Sequence, residues 1–322
     1  MRRTGTGILA VLLLMLLCAG ALGETQFSDV TAPEWADVVL NSRGFIDEGE
    51  YVFSSEEDGH YMYVSPTLRV QIVRSYEVPD KKHPFYCFTA DIWCDVESGE
   101  RPHTVFADPE KPKSAHKRIR EIATENKVVF ATSTDYYTYR IKQKYPTGIE
   151  IRGEEIFFDE PRAKPSKLPN YETLAFYKDG HVESHPSIEV SAQEYLDAGA
   201  YDVLCFGPCL VKDGKVTEYL ETAYDSYNPR FAYGMVEPGH YVAMLCEGRL
   251  KRSKGVQMNV LAQMLLDHGC QVAVNLDGGQ TAVFTFMGQQ INQVVTTDPY
   301  GRAQAEILAV GYSEQVGSYE IQ

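Results

Sequence analysis

The chain has 322 residues, which is enough for one large domain or two modest ones. Hydrophobic residues make up 44% and charged residues 23% of it, a balance that excludes disordered, collagen-like and coiled-coil proteins. Lys and Arg number 30 against 45 for Asp and Glu, which leaves a net charge of -15. Because a nucleic-acid partner requires a broad positive surface, we expect none. An anionic substrate has to be met by a local cluster of cations.

The N-terminus has the features of a secretory signal. Two arginines precede an apolar run at residues 8–22, and small residues stand at Ala21 and Gly23. This order predicts a signal peptide at residues 1–23 and a secreted or otherwise extracytoplasmic protein. The apolar run is only slightly shorter than a spanning helix, so an uncleaved signal anchor is the alternative and the one expected route to membrane contact.

The cysteines are compatible with export. Seven are present, and removal of the signal peptide takes Cys18 with it and leaves an even number in a compartment that permits disulfides. The short spacings from Cys87 to Cys94 and from Cys205 to Cys209 are candidate bridges, but the sequence leaves the pairing open. Neither spacing is typical of a structural zinc site.

The first third of the chain is predicted to be an accessory β-rich region at residues 24–108. Alternating apolar residues recur at 61–64, 68–73 and 85–93, which is the period of half-buried strands. A polar, proline-rich stretch follows. We therefore place the main domain after it, at residues 109–322.

Two short helices are predicted within the main domain. Apolar residues at helical spacing from His116 to Ala123 indicate the first helix. Ser191 and Glu194 form a capping box for the second helix, which we expect to end near Gly199.

Residues 241–276 predict a right-handed parallel β-α-β unit. Nearly continuous apolar runs at 241–246 and 271–276 indicate strands that are buried on both faces. Between them an apolar stripe that starts at Val256 indicates a helix, with Ser253 as its cap. Two strands joined by a helix form a crossover that is nearly always right-handed. The predicted fold class is therefore α+β, with mixed sheets, helices and this one parallel unit.

A parallel unit also predicts where a site lies. Its two strands end at the same edge of the sheet, and the connecting helix begins there. Glu247 and Arg249 follow the first strand, and Ser253 starts the helix. The turn at residues 277–279, Asp-Gly-Gly, follows the second strand. Helix starts at such an edge favour anions, and glycines allow a ligand to approach the backbone. The edge is thus a predicted phosphate site, with a plain tight turn as the alternative.

Several ordered segments resemble one known family. They are DYY at 135–137 with GIEIRGEEIF at 148–157, FGPCLVKDG at 206–214, NPRFAYG at 228–234, and NLDGGQTA at 275–282 after a helix and SKG at 253–255. Together they resemble the phosphodiester glycosidase family over residues 128–310.

The resemblance implies hydrolysis of a phosphodiester at the anomeric carbon of a sugar, which releases the sugar from a phosphorylated partner. The expected substrate is a sugar phosphodiester or a cell-surface glycan that carries one. The candidate site residues that the resemblance implies, carried over by position, are Asp135, Arg230, Asn275, Asp277, Gly278 and Gly279.

The chemistry assigns roles to these residues. Breaking an anomeric C–O bond builds positive charge on the sugar ring, which a carboxylate stabilises or attacks. Asp135 and Asp277 are the predicted catalytic pair. Arg230 is the predicted clamp for the leaving phosphate, with Arg249 as a second. Oxygen ligands at Asp277 and Glu247 suit a Ca²⁺ or Mg²⁺ ion, which is the one cofactor under consideration. The structural alternatives are a surface ion pair for Arg230 and a strand-end cap for Asp135.

Three positions, in two segments, depart from the family pattern. Where the family has Asn-Gly before Asp-Tyr-Tyr, this chain has Ser133 and Thr134, and Glu247 replaces an Asp. Thr134 cannot adopt the left-handed conformations of glycine cheaply, whereas Ser133 can still hydrogen-bond a ligand. These changes motivate an alternative hypothesis, a catalytically inactive envelope or carbohydrate-binding protein that retains the fold. The predicted substrate-binding residues besides the arginines are Ser133, Ser253, Asn275, Gly278 and Gly279.

Overall fold

The computed structural model describes residues 27, 30–135, 148–159, 171–218, 220, 226–294 and 299–322. The predicted signal peptide at residues 1–23 lies outside these ranges, as do the tyrosines that directly follow Asp135. Within them, no helix has both the length and the apolar character that crossing a membrane requires.

Most of the described chain is β-strand. The strands are β1 (Tyr51–Ser55), β2 (His60–Val64), β3 (Leu68–Glu77), β4 (Phe85–Cys94), β5 (His103–Phe106), β6 (Val128–Thr132), β7 (Ile149–Arg152), β8 (Glu155–Asp159), β9 (Glu172–Tyr177), β10 (Val182–Glu183), β11 (Ala200–Phe206), β12 (Cys209–Lys212), β13 (Lys215–Val216), β14 (Arg230–Glu237), β15 (His240–Cys246), β16 (Val272–Leu276), β17 (Phe284–Phe286), β18 (Gln289–Gln290) and β19 (Glu306–Tyr312). The α-helices of the described ranges are α1 (Ile119–Glu125), α2 (Ala192–Asp197) and α3 (Met258–Asp267).

The strands form three sheets. The largest has the order β1-β2-β3-β4-β15-β14-β16-β12-β13, the second β10-β9-β11-β7-β8 and the third β18-β17-β6-β19-β5. The neighbouring strands in these sheets pair antiparallel, as in the central pairs of β15 with β4 and of β14 with β15 and β16. A mostly β structure with a few helices agrees with the predicted α+β class, but the antiparallel pairing of the described strands shows that the predicted mixed sheets are wrong.

The N-terminal strands belong to the largest sheet. Strands β2, β3 and β4 lie where the alternating pattern predicts them, and β4 pairs along its length with β15 of the main domain. Strands from both sides of residue 108 therefore share one sheet. The boundary at that residue, between an accessory region and a main domain, stays a prediction.

The predicted parallel β-α-β unit at residues 241–276 is wrong, because β15 and β16 are not neighbours. Strand β14 lies between them and pairs antiparallel with both. The cause is local: β14 and β15 form a tight hairpin that turns at Gly239, which has φ 84°. Two antiparallel steps leave β15 and β16 pointing the same way, so their carboxyl ends still lie at one edge of the sheet.

Of the two predicted helix caps, one is confirmed and the other is wrong. At α2, Ser191 and Glu194 form the predicted capping box, with each side chain bonded to the other's backbone N–H. At α3 the N-cap is Gln257 and the helix begins at Met258, so the prediction that Ser253 caps it is wrong. The apolar face of α3 packs against β12, β13 and β14 and covers one face of the largest sheet.

The other face of the largest sheet contributes to the main core, which joins all three sheets. Phe231 on β14, Phe284 on β17 and Leu204 on β11 belong to this one buried cluster. The described cysteines are buried thiols, so neither candidate disulfide is formed. Cys87 and Cys246 lie opposite each other on β4 and β15, with their Sγ atoms 3.3 Å apart.

Candidate active site

The strand register brings the predicted site residues to one edge of the largest sheet. Arg230, the first residue of β14, pairs with Cys246, the last residue of β15. Its neighbour Phe231 pairs with Leu276, the last residue of β16. The loops that follow β15 and β16 therefore flank the start of β14 on either side. The predicted convergence of these loops holds, although the strands are not adjacent.

Glycines allow the three loops to pack closely around Pro229. A Cβ on Gly278 would stand 2.6 Å from the carbonyl oxygen of Pro229, and one on Gly248 would stand 2.6 Å from its nitrogen. Side chains do not tolerate such distances, so only glycine fits at these two positions. The N–H of Gly279 donates to the carbonyl oxygen of Pro229 at 3.1 Å. The Asp-Gly-Gly turn is thus built against the start of β14.

Two arginines stand at this edge. Arg249 has φ 58°, an uncommon left-handed conformation for a residue with a side chain. Its Nη2 donates to Oδ1 of Asn228 at 2.7 Å, and its Nη1 lies 3.7 Å from where a Cβ on Gly279 would be. Arg230 is half-buried and donates from Nη2 to the carbonyl oxygen of Ser226 at 3.2 Å. The cations predicted to clamp a phosphate therefore lie at the start of β14 and in the loop that follows β15.

The loop at residues 133–135 joins the same edge. The N–H of Asp277 donates to the carbonyl oxygen of Thr134 at 3.3 Å, and Oγ of Ser133 lies 3.4 Å from the carbonyl oxygen of Asp277. These contacts place the segments of both predicted catalytic aspartates side by side. Asp277 itself is half-buried, which leaves part of it accessible to a ligand.

The side chain of Asp135 lies in the interior. It is fully buried, and its Oδ2 accepts hydrogen bonds from Nη2 of Arg152 at 2.9 Å and from the N–H of Cys205 at 3.0 Å. Arg152 belongs to β7 and Cys205 to β11, so this carboxylate ties the second sheet to the loop that carries it. The tyrosines that follow Asp135 lie outside the described residues.

Arg152 is the centre of a buried charge network that sequence reasoning missed. Its Nε and Nη2 donate to Oε1 of Glu306 at 3.1 and 2.8 Å, and Thr134 donates to the same oxygen at 3.2 Å. Burial opposes its charge, but Glu306, Asp135 and Glu150 outweigh burial and raise the pKa of Arg152 well above its usual range. A charged residue within the apolar alternation of β7 was the available signal, and Thr134 finds a partner that glycine would lack.

Two other predicted site residues form hydrogen bonds with backbone groups. Asn275 is buried on β16, and its Nδ2 donates to the carbonyl oxygen of Gly207 at 3.0 Å. Ser253 is fully buried; its Oγ donates to the carbonyl oxygen of Glu247 at 2.9 Å and accepts the N–H of Tyr86 at 3.0 Å. The residues that the structure brings together at the accessible edge are Arg230, Arg249, Asp277, Gly278 and Gly279, and Ser133 lies buried directly behind Asp277.

Comparison with known proteins agrees with these segments. The sequence model of the phosphodiester glycosidase family matches residues 126–310, more than half of the chain. The chain belongs to the phosphodiester glycosidase family. A curated relative, the SPbeta prophage-derived uncharacterized protein YomE of Bacillus subtilis strain 168, is 31% identical over 170 residues. That alignment covers 52% of this chain and 26% of the relative, so the chain spans about a quarter of the length of that relative.

Solved structures share the fold of this chain. The catalytic domain of zebrafish N-acetylglucosamine-1-phosphodiester alpha-N-acetylglucosaminidase, auto-inhibited by pro-peptide, has a TM-score of 0.61 at 15% identity. The match covers 82% of this chain and 88% of that one. A hypothetical protein from Synechocystis has a TM-score of 0.51 at 12% identity, with 76% and 62% covered. At these identities the likeness shows a common fold alone.

Glu247 lies just behind the accessible edge. It is buried, and one carboxylate oxygen accepts the N–H of Gln293 at 2.6 Å. Burial raises the pKa of Glu247 to about 7, against the opposing effects of that N–H and of Arg74. A carboxyl group of this kind is partly protonated at neutral pH, so it can donate as well as accept a hydrogen bond.

The carboxylates near this edge were predicted to bind a divalent cation. Within the described ranges no three His, Cys, Asp or Glu side chains are grouped so that they could hold one metal ion. Asp135 already accepts a hydrogen bond from Arg152, and Glu247 is bonded to a backbone N–H. Asp277 and Glu247 alone supply fewer protein ligands than a Ca²⁺ ion takes. The Asp277 and Glu247 cation site stays a prediction.

Proposed function

We propose that this protein is an exported hydrolase that cleaves a glycosyl phosphodiester at the anomeric carbon and releases the sugar from its phosphorylated partner. The observation that carries the proposal is the meeting of Asp277, Arg230 and Arg249 at one sheet edge, in a chain of the phosphodiester glycosidase family. This edge combines an accessible carboxylate with two cations, in a protein whose overall charge is strongly negative.

The two arginines suit the phosphate of the substrate. A guanidinium group binds phosphate oxygens through paired, charge-assisted hydrogen bonds. A phosphomonoester leaves as a stable anion, so cleavage depends more on cationic stabilisation of the leaving group than on a strong general acid. In this proposal Arg230 and Arg249 hold the phosphodiester and stabilise the charge that builds on it as the anomeric C–O bond breaks.

Asp277 is the carboxylate proposed to face the sugar. As the C–O bond breaks, positive charge develops on the ring carbon and oxygen, and a carboxylate nearby stabilises it or attacks the carbon. Asp135 has a different proposed role: it is a positioning residue whose buried carboxylate holds Arg152. That pair fixes the loop whose Thr134 carbonyl accepts the N–H of Asp277.

Export and substrate class rest on separate observations. The N-terminal sequence predicts a signal peptide at residues 1–23, which would take the protein to a compartment where cell-surface glycans are present. The zebrafish protein of similar fold is named for the sugar phosphodiester that it cleaves. For this chain we propose a sugar phosphodiester or a cell-surface glycan that carries one, with no nucleic-acid partner.

Hydrolysis of defined substrates tests the proposal. Purified protein is incubated with sugar 1-phosphodiesters that differ in sugar and anomer, with Ca²⁺, with Mg²⁺ or with a chelator, and released sugar is quantified by chromatography. We expect release by the parent protein and loss of release in Asp277→Asn. Asp179→Asn, which alters an exposed aspartate on another loop, is the matched control and should retain activity.

The same assay separates the two hypotheses. If the parent protein releases no sugar from any substrate under any metal condition, the hydrolase proposal fails and the inactive binding protein is favoured. Equal release by the parent and by Asp277→Asn would keep a hydrolase but remove Asp277 from its centre. A requirement for added Ca²⁺ or Mg²⁺ would support the predicted cation site.

A further inference from the structure

A cavity of about 650 Å³ lies next to the candidate active site. Strands β3 and β4 form one wall, the loop at residues 250–253 forms a second, and the segment at 290–293 forms a third. Its volume lies within the range of small-molecule sites in proteins. The proposed reaction at Asp277, Arg230 and Arg249 does not use it.

The cavity lining carries three cations and two carboxylates. Arg74, Lys251 and Arg252 all contribute to its surface, and the last two are exposed. The acidic groups on its surface are Glu56, which is exposed, and Glu247, which is buried. An excess of cations is unexpected in a chain with 30 basic and 45 acidic residues. Such a surface favours an anionic occupant.

An aromatic side chain completes the wall. Tyr86 is half-buried in the cavity lining, and the guanidinium carbon of Arg74 lies 5.7 Å from the centre of its ring. The same arginine donates from Nη2 to the carbonyl oxygen of Glu57 at 2.8 Å, which fixes its position. An apolar ring face beside cations suits a sugar that carries a negative group, because the ring contacts C–H groups while the cations meet the charge.

The basic loop is held in place and adjoins the phosphate clamp. Ser253, bonded to both Glu247 and Tyr86, ties the loop to strand β4. Lys251 is two residues from Arg249, so their Cα atoms are separated by no more than about 7 Å. Leu250, the residue that follows Arg249, lines the cavity, so the cavity begins one residue along the chain from the proposed phosphate clamp.

We infer that the cavity beside Arg249 binds a second anionic group of the substrate, a phosphate or carboxylate on the sugar next to the scissile phosphodiester. The substrate is then a polyanionic glycan, in contrast to a sugar phosphodiester whose partner is otherwise neutral. This inference rests on the proposed function, because it names the substrate class of the same site. Lys251, Arg252 and Arg74 meet the second charge, while Arg230 and Arg249 hold the phosphodiester.

Titration calorimetry at low salt tests the inference without any turnover. The probes are glucose 1-phosphate, which has one anionic group, and glucose 1,6-bisphosphate, which has a second on the same sugar. We expect the bisphosphate to bind the parent protein at least about tenfold more tightly, since charge-assisted hydrogen bonds are worth this much. In the double variant Lys251→Ala/Arg252→Ala, which leaves Arg74 in place, this preference should fall to about twofold or less, while the affinity for glucose 1-phosphate stays unchanged.

The matched control changes the net charge equally at a distance. Lys111→Ala/Lys113→Ala removes two exposed cations that do not line the cavity and should retain the preference for the bisphosphate. The inference is overturned if the parent protein binds both probes equally, or if a preference above about twofold survives in Lys251→Ala/Arg252→Ala. Failure of the proposed function is a distinct result, since a protein without hydrolase activity can still show the preference and an active one can lack it.

Discussion

The two aspartates predicted as a catalytic pair lie on neighbouring loops but in opposite environments. Asp135 is fully buried and bonded to Arg152 and to a backbone N–H. Asp277 is half-buried at the edge of the largest sheet, where Arg249 approaches the glycine two residues after it. The same residue type in two adjoining motifs therefore does two jobs. One carboxylate neutralises an interior cation, and the other remains available to a ligand.

Burial and partner explain the difference. An ionised group leaves water at a large cost, which only a well-placed opposite charge and further hydrogen bonds offset. Asp135 has both, so its charge stabilises the fold as long as Arg152 is present. A carboxylate committed in this way is poorly suited to approach a sugar ring. Variants at the two positions should accordingly affect different measurements.

The largest expected effect is on the stability of Asp135→Asn. The substitution keeps the shape of the side chain but removes the charge that faces buried Arg152, and we expect a loss of about 3 kcal/mol in the free energy of unfolding. Urea denaturation followed by tryptophan fluorescence measures it. Glu154→Gln breaks the exposed ion pair with Lys178 and serves as the control, with an expected loss below about 1 kcal/mol. Equal losses in both variants would contradict the buried network.

Asp277→Asn should behave in the opposite way. We expect the rate of phosphodiester hydrolysis to fall by about a hundredfold or more, because stabilisation of developing charge is lost. The free energy of unfolding should change by less than about 1 kcal/mol, as is usual for accessible positions. Steady-state kinetics and urea denaturation of the same preparation test the two parts. A large loss of stability would mean that Asp277, like Asp135, is mainly structural.

A third carboxylate, Asp91, has two histidines as its partners where Asp135 has an arginine. It accepts hydrogen bonds from His240 and from His268, both at 2.9 Å. Burial opposes its charge, but these bonds outweigh burial and lower the pKa of Asp91 to about 2 from 3.8. A depressed folded pKa gives stability that is present above the unfolded value and is lost as the pH falls through the folded value. The contribution is about 2 kcal/mol.

Denaturation of Asp91→Asn and of the parent protein at several pH values measures this contribution. The stability difference between them should shrink by about 2 kcal/mol as the pH falls from 5 toward 2. His268 titrates in the other direction: the hydrogen bond to Asp91 raises its pKa above 6.5. The stability that protonated His268 contributes is present below that value and is lost as the pH rises through the folded pKa. His268→Gln should therefore lower the free energy of unfolding more at pH 6 than at pH 9. A difference independent of pH would contradict both assignments.

The smallest expected effect is at Thr134, where the chain departs from the family pattern. Its hydroxyl donates to the Glu306 oxygen that also accepts from Arg152. Thr134→Ala removes this bond and should lower the free energy of unfolding by about 1 kcal/mol. Thr134→Ser keeps the hydroxyl and is the matched control, for which denaturation should reveal a smaller loss. Identical losses in the two variants would show that the hydroxyl does not support the network.

Local features of the fold could be read from the sequence. The capping box at Ser191 starts a helix, and the apolar run before Glu247 is a fully buried strand, because capping and periodicity depend on residues a few positions apart. The strand that pairs with it, β14, could not be predicted from the sequence. Strand β14 separates β15 from β16, and a sheet order set by long-range pairing leaves no mark in the periodicity of either strand.

The candidate site divides in the same way. The residues of the site could be predicted, since the Asp-Gly-Gly turn and the arginines lie in motifs that are recognisable in the amino-acid sequence. The burial of Asp135 could not be predicted from the sequence, because its partner Arg152 belongs to the second sheet. The basic cavity could not be predicted either, since its walls come from segments far apart along the chain.

The sequence by itself determined which segments become strands, helices and turns, and which motifs carry carboxylates, cations and glycines. Only the tertiary structure decided which strands are neighbours, which aspartate is buried and which cations share a cavity. Hydrogen bonds between nearby residues and the alternation of apolar side chains act over a few positions. Strand pairing and the burial of a charge depend on partners that only the folded chain brings together.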